Sequence, residues 1–210
     1  MRIAIRTWAS SGAVAMALTL LLAACAATPP PGQSLLGRQC LSDLADRGVL
    51  YHTTRSPAES GPCVVTTPVE VSSAGVPWNR PALLSCDLAA VVDRFTVEAV
   101  QPMAQRYLGT RVTRLDHLGA YSCRAIAGLG GRWSEYATGR TIDIAGFLLA
   151  TGERVSVEQD WRLPGPKSAF LHAVARRACD YFSVVLTPDS NRDHVNHFHL
   201  DLGRYKLCEA

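Results

Sequence analysis

The spacing of apolar residues changes period along the chain, and each period marks a different kind of element. From Leu83 to Leu108, the residues Leu88, Val91, Val92, Phe95, Ala99 and Met103 recur at steps of three and four, the spacing of one buried helix face. Phe95 and Met103 are therefore expected in a core. Pro102 lies inside this run. It lacks a backbone N–H and crowds the preceding turn, so it is expected to kink the helix or end its regular part. A second helix is predicted over residues 168–182, with Ser168 able to cap it and Leu171, Val174 and Ala178 along one side. Strands are predicted over 111–115, 141–148, 153–157, 183–186 and 197–202, where short apolar runs mostly alternate with polar residues. Residues 40–71 are apolar fragments broken by Gly48, Pro57, Gly61, Pro62 and Pro68, which reads as a helical turn at 40–47 followed by short strands. The expected class is α+β: a small antiparallel sheet flanked by helices.

The first 24 residues follow a different rule. Arg2 and Arg6 precede an apolar stretch from Ala13 to Ala24 that stops at Cys25, the pattern of a secretory signal peptide. The stretch falls short of the roughly 20 apolar residues that a spanning helix needs. Leu22-Ala23-Ala24-Cys25 resembles a bacterial lipobox, in which the cysteine is lipidated and becomes the new N-terminus. An ordinary cleaved signal with an incidental cysteine is the other reading. An acylated Cys25 would hold the chain on a membrane surface rather than across it. Ala26 stands where an aspartate would favour retention at the inner membrane, so the expected location is the periplasmic face of the cell envelope, at the outer membrane. Thr28-Pro29-Pro30-Pro31-Gly32-Gln33 then forms a short stiff tether.

Charge and cysteine usage narrow the remaining classes. The chain carries a net charge of +3, and setting aside Arg2 and Arg6 leaves 19 basic residues against 18 acidic ones. No basic stripe stands out, so nucleic acid is excluded as a partner. Beyond Cys25, the six cysteines Cys40, Cys63, Cys86, Cys123, Cys179 and Cys208 form an even set in an exported chain, which reads as three disulfides. Sequence alone leaves their pairing open. Joining neighbouring segments gives 40–63, 86–123 and 179–208. No C-x-x-C pair is present, which speaks against a cysteine zinc site.

Candidate chemistry gathers in two segments. In His194-Val195-Asn196-His197-Phe198-His199-Leu200-Asp201-Leu202, strand alternation puts His197, His199 and Asp201 on one face and Phe198, Leu200 and Leu202 on the other. Two imidazoles and a carboxylate are costly to bury unless a metal or hydrogen-bonded partners satisfy them; both readings stand. In the stretch from Ser134 through Tyr136 to Phe147, Ile142 and Ile144 point one way and Asp143 the other, as a structural acceptor or as a ligand. His117 is expected at a surface or edge, with replacement of a missing ligand as the alternative. Trp133 and Trp161 flank these segments and are expected as lids on the core, with glycan stacking as the alternative.

Together these motifs resemble the bacterial extensin-like C-terminal domain family. The resemblance rests on Tyr121-Ser122-Cys123-Arg124, on S-E-x-A-T-G-x-x-I-D-I-A-G-F from Ser134, on Val155-Ser156-Val157-Glu158-Gln159-Asp160-Trp161 and on H-x-x-H-F-H-L-D from His194. Gly48-Val49, Cys63, Pro68-Val69 and Cys86 fit the same pattern, so it covers nearly all of the mature chain. It implies a domain over 38–209, preceded by a lipidated N-terminus and tether over 25–37. The family is similar to zinc peptidases of the D-alanyl-D-alanine carboxypeptidase, murein endopeptidase and hedgehog group (the LAS group). A LAS-like fold is implied, with zinc held by two histidines and an aspartate and a fourth position open for water.

Carried over by residue, Asp143 and His199 fall on metal ligands, and His197 falls on the imidazole that exchanges protons with bound water. His194 falls on a further active-site histidine. Arg124 matches an arginine that orients a substrate carboxylate or carbonyl, and Ser134 the serine that opens the first ligand motif. The first histidine ligand is missing: Tyr136 stands in its place. A phenol, with a reference pKa of about 10, gives up its proton for a metal less readily than a neutral imidazole offers its lone pair. Asn196 replaces the aspartate usual before H-F-H, and Thr187 a usual glycine.

Two functions follow. One is a zinc hydrolase of peptidoglycan peptides, with zinc on Asp143, His199 and Tyr136 or another third donor. The other is a catalytically inactive envelope protein that binds wall peptides or a protein partner. A purely structural anchor is a third option.

Overall fold

The structure is a computed structural model that describes residues 34–126 and 131–210. The expected signal peptide, Cys25 and the proline tether lie outside the described residues. In chain order the elements are α1 (Leu35–Asp46), β1 (Leu50–Thr53), β2 (Pro68–Ala74), β3 (Val76–Ser85), α2 (Cys86–Phe95), a π-turn (Thr96–Val100), α3 (Gln101–Leu108), β4 (Val112–Gly119), a 3-10 turn (Glu135–Thr138), β5 (Thr141–Leu149), β6 (Arg154–Ser156), α4 (Val157–Asp160), α5 (Pro166–Ala178), β7 (Val184–Leu186), a second 3-10 turn (Arg192–His194), β8 (Phe198–Asp201) and β9 (Leu207–Cys208). No helix among the described residues is long and apolar enough to cross a membrane.

The class is α+β, but the sheet is neither small nor purely antiparallel. Nine strands run in the order β1-β2-β3-β4-β5-β8-β7-β9, with β6 also paired to β5. The β3–β4 and β7–β9 pairs are parallel. The helices cover the sheet: Leu88, Val92, Phe95, Leu171, Val174 and Ala178 are fully buried, together with Ile142, Ile144, Phe147, Phe198 and Leu200 from the strands. Met103 packs at the margin of this core.

The long helix predicted over 83–108 is interrupted. Leu83, Leu84 and Ser85 complete β3, where they pair with Glu70, Val69 and Pro68, and the helix starts at Cys86. After Phe95 the ladder widens into the π-turn, where Thr96 Oγ1 donates to the Val92 carbonyl at 2.8 Å. Pro102 follows in the first turn of α3, where a missing N–H costs least. The second helix begins two residues earlier than predicted, at Pro166, and ends at Ala178. Ser168 is not its cap; its hydroxyl donates to the Trp161 carbonyl at 2.9 Å. The helical turn expected at 40–47 is a full helix, α1, capped by Ser34 Oγ, which accepts from Gly37 N at 3.0 Å.

All six cysteines are paired, as Cys40–Cys86, Cys63–Cys123 and Cys179–Cys208. The third matches the expectation; the pairings 40–63 and 86–123 are overturned. The β1–β2–β3 meander returns the chain so that α1 lies against α2, which brings Cys40 and Cys86 to a Cα separation of 6.2 Å. Nearness in sequence is thus a poor guide here to nearness in space.

Phe95 is fully buried, with the rings of Phe182 and Tyr181 at 5.3 and 5.6 Å. Phe95→Ala should cost about 3–5 kcal/mol. In urea unfolding the midpoint should fall while the slope stays unchanged.

Candidate functional site

Strands β5 and β8 pair antiparallel, with Asp143 opposite His199, Ile142 opposite Leu200 and Ile144 opposite Phe198. The four apolar residues are fully buried on the helix side, so alternation turns Asp143 and His199 to the other face. Tyr136 reaches the same point from the 3-10 turn. Ser134 Oγ accepts from Tyr136 N at 3.4 Å, and Gly139 closes the turn at φ 67°. A side chain at Gly139 would meet Ser85 N and the Val65 side chain at 3.0 Å, so the turn that carries Tyr136 can press against the end of β3.

The phenol then completes a chain of polar contacts. Tyr136 Oη lies 2.5 and 2.6 Å from the two Asp143 oxygens and 3.0 Å from His199 Nδ1. A carboxylate only accepts, so the phenolic proton goes to Asp143, while Oη accepts from His199 Nδ1–H. His199 Nε2 lies 3.1 Å from Asp201 Oδ2, and Asp201 Oδ1 accepts from Gly203 N at 2.7 Å. Burial alone would lower the His199 pKa, but the hydrogen bonds and charges of Asp143 and Asp201 overcome it and raise the value to about 9. Burial and the Asp143 charge push the Tyr136 hydroxyl well above its ordinary range. Burial also works against the Asp143 carboxylate, yet the bonds from His199 and Tyr136 keep its pKa below the usual value.

The other two histidines are neutral. Burial lowers the His197 pKa, and burial followed by the nearby His199 and His197 lowers that of His194 to about 4. His197 Nδ1 lies 2.7 Å from Asn196 Oδ1, and His194 Nδ1 lies 2.8 Å from Asn191 Oδ1. With each Nδ1–H given to an amide oxygen, the Nε2 atoms are left as acceptors. His197 Nε2 is 3.6 Å from Asp143 Oδ1, and the His194 ring is 5.2 and 5.5 Å from those of His197 and His199. The exposed Arg124 places its guanidinium 4.4 Å over the Tyr136 ring, a cation–π contact. Asp143, Tyr136, His194, His197, His199 and Arg124 therefore form one constellation, with Ser134 in a capping position beneath it.

In this arrangement the residues that would hold a zinc ion are bonded to one another. Zinc needs deprotonated ligands and free imidazole lone pairs. Here Asp143 and Asp201 raise the pKa of His199, and the Tyr136 hydroxyl lies between Asp143 and His199 Nδ1. Among the described residues, no group of three or more His, Cys, Asp or Glu is arranged to hold a metal.

Three flanking residues differ from, or sharpen, the expectations. His117 is not at the surface: it is 2% exposed, its Nε2 lies 2.9 Å from the Arg80 carbonyl, and burial lowers its pKa. Its ring packs edge-on to Trp78 at 5.4 Å. Trp161 is a core lid at 2% exposure, whereas Trp133 is 46% exposed. Thr187 is buried and donates from Oγ1 to the Glu209 carbonyl at 2.8 Å. Asn191, which orients His194, was not among the predicted residues. Its signal is an asparagine placed to cap the turn before His194, where its Oδ1 accepts from Asp193 N at 2.9 Å.

Fold and site thus define a disulfide-braced α+β domain that carries a histidine–carboxylate–phenol cluster on the open face of its sheet. Residues 38–209 match the family described as extensin-like protein C-terminus, and the chain belongs to it. Comparison with curated proteins and with solved structures gave no match.

An NMR titration of the imidazoles should show His199 protonated through neutral pH and releasing its proton near 9, with His194 titrating near 4. Because the folded value of His199 lies above its ordinary 6.5, its contribution to stability is complete below about pH 6.5 and fades as pH rises through about 9.

Proposed function

We propose that this chain is a lipid-anchored protein of the bacterial cell envelope whose peptidase-like cleft, degenerate at Tyr136, binds the carboxylate end of a wall peptide without hydrolysing it. The relationship to the LAS zinc peptidases enters here as part of the reading, as do anchoring through Cys25 and an outer-membrane, periplasmic-facing location. The observation that carries it is the Tyr136 hydroxyl, 2.5 and 2.6 Å from the two oxygens of Asp143. That proton neutralises part of a site that hydrolysis would need charged and open.

The rest of the constellation suits a peptide terminus. Arg124 keeps its face on Tyr136 and has in-plane donors for a carboxylate. The Nε2 atoms of His194 and His197 accept from N–H or O–H groups of the same ligand. Asn196, in place of an aspartate, orients His197 without adding a charge, so the imidazole is a weaker base.

A second reading, a working zinc hydrolase, is favoured by the 3.4 Å approach of His199 Nδ1 to Asp143 Oδ1. There Asp143 and His199 would hold zinc with Tyr136 or another third donor, and His197 would move the proton.

Metal analysis of the purified domain separates the two readings. The native protein should carry far less than one zinc per chain, and Tyr136→His should acquire one. With a synthetic peptidoglycan stem peptide, calorimetry should show binding that Arg124→Ala weakens by about 10-fold or more, the loss expected for a charge-assisted hydrogen bond. No cleaved fragments should appear by mass. Stoichiometric native zinc together with enzyme-like cleavage would overturn the reading.

A further inference from the structure

Arg124 sits on the least supported stretch of the site. Between the end of β4 at Gly119 and the 3-10 turn at Glu135, the described residues form no strand, only an isolated bridge between Ala125 and Trp133. Two backbone bonds flank this bridge: Ile126 N to the Arg132 carbonyl at 2.9 Å, and Ser134 N to the Arg124 carbonyl at 3.2 Å. On the upstream side, Ser122 N bonds the Tyr136 carbonyl at 3.1 Å. On the same side are the Cys63–Cys123 disulfide and Tyr121 Oη, which donates to the Cys63 carbonyl at 3.3 Å. Cys63 is 5% exposed, in a loop pinned where Val65 N donates to Ser56 Oγ at 2.9 Å. Its partner Cys123 is exposed and immediately precedes Arg124.

We propose that Cys63 and Cys123 are positioning residues for Arg124, and that opening their disulfide with a dithiol disarms the binding face. The proposal rests on the reading of Arg124 as the ligand-holding cation. In the opening step a thiolate of the dithiol attacks Sγ of Cys123, the more exposed residue of the pair, and Cys63 leaves as a thiolate. The second thiol then attacks the mixed disulfide and releases Cys123. The dithiol ends as its own disulfide, two electrons have passed to the cystine, and the two thiol protons end on Cys63 and Cys123. Arg124 then loses its covalent anchor and its fixed place over Tyr136. The other disulfides do not touch the Arg124 segment: Cys40–Cys86 joins α1 to α2, and Cys179–Cys208 ties the end of α5 to β9. Because Cys208 is also exposed, its bridge serves as a control for reducibility without an effect on the site.

The test reads the Nε–H resonance of Arg124 in 15N-labelled protein, assigned by its loss in Arg124→Lys. Ring current from Tyr136 should displace it in the oxidised protein. In the Cys63→Ser/Cys123→Ser variant it should move to the position of a free arginine, and in Cys179→Ser/Cys208→Ser it should stay. Native protein treated with limiting dithiothreitol and trapped with iodoacetamide, with the opened bridge located by peptide mass, should reproduce the shift without mutation. Affinity for the stem peptide should fall about 10-fold or more in step with it. An unmoved resonance after verified opening of Cys63–Cys123 overturns the proposal. So does loss of amide dispersion throughout the protein, which would make the bridge a general staple. Should the stem peptide not bind native protein at all, the functional reading fails while the resonance still decides the positioning role.

Discussion

The antiparallel register of β5 and β8 is the constraint on which the site depends. It sets Asp143 opposite His199 while Ile142, Ile144, Phe198 and Leu200 enter the core. A slip of one residue in β8 would send the imidazole inward and Phe198 and Leu200 outward, and a slip in β5 would do the same to Asp143, Ile142 and Ile144. The burial of those four side chains makes any such slip costly, and so the same packing that stabilises the sheet also aims the polar residues. The turn carrying Tyr136 then needs only Gly139 at its end to press the phenol onto that face.

Charge explains why the phenol can remain there. Asp143 and Asp201 are both largely buried, and two carboxylates in a dry site need compensating positive charge or protons. A divalent metal would be one solution. Another is hydrogen bonding of the kind present here: His199, its pKa raised, lies between the two acids, and the Tyr136 hydroxyl donates to Asp143. Each polar group in the chain from Asp201 to Asp143 then has a partner. The arrangement leaves the cluster satisfied internally, with the half-buried His194 and the exposed Arg124 at its rim.

Much of this was legible from local pattern. Alternation in 141–148 and 197–202 separates the core-facing residues from Asp143, His197, His199 and Asp201, and the family resemblance, not local pattern, put Tyr136 with them. What was not legible depends on contacts distant in sequence. The Cys40–Cys86 pair follows from how the β-meander folds α1 onto α2, the Cys63–Cys123 pair joins the β1–β2 loop to the segment after β4, and the burial of His117 follows from the parallel β3–β4 pair that brings Trp78 beside it. Helical periodicity from Leu83 onward could not reveal that Leu83 and Leu84 belong to β3, because cross-strand pairing with Glu70 and Val69 overrides it. Nor does periodicity distinguish a continuous α-helix from one that widens by a residue ahead of Pro102.

The central claim is that the Tyr136 hydroxyl holds its proton against Asp143 at the centre of the cluster. The most direct measurement is the hydroxyl proton of Tyr136 in a 1H NMR spectrum, recorded with and without millimolar zinc. A proton held between oxygens this close should resonate far downfield of an ordinary phenol, vanish in Tyr136→Phe and remain in place when zinc is added. Loss of that signal on adding zinc, with a simultaneous shift of the His199 ring, would contradict the account.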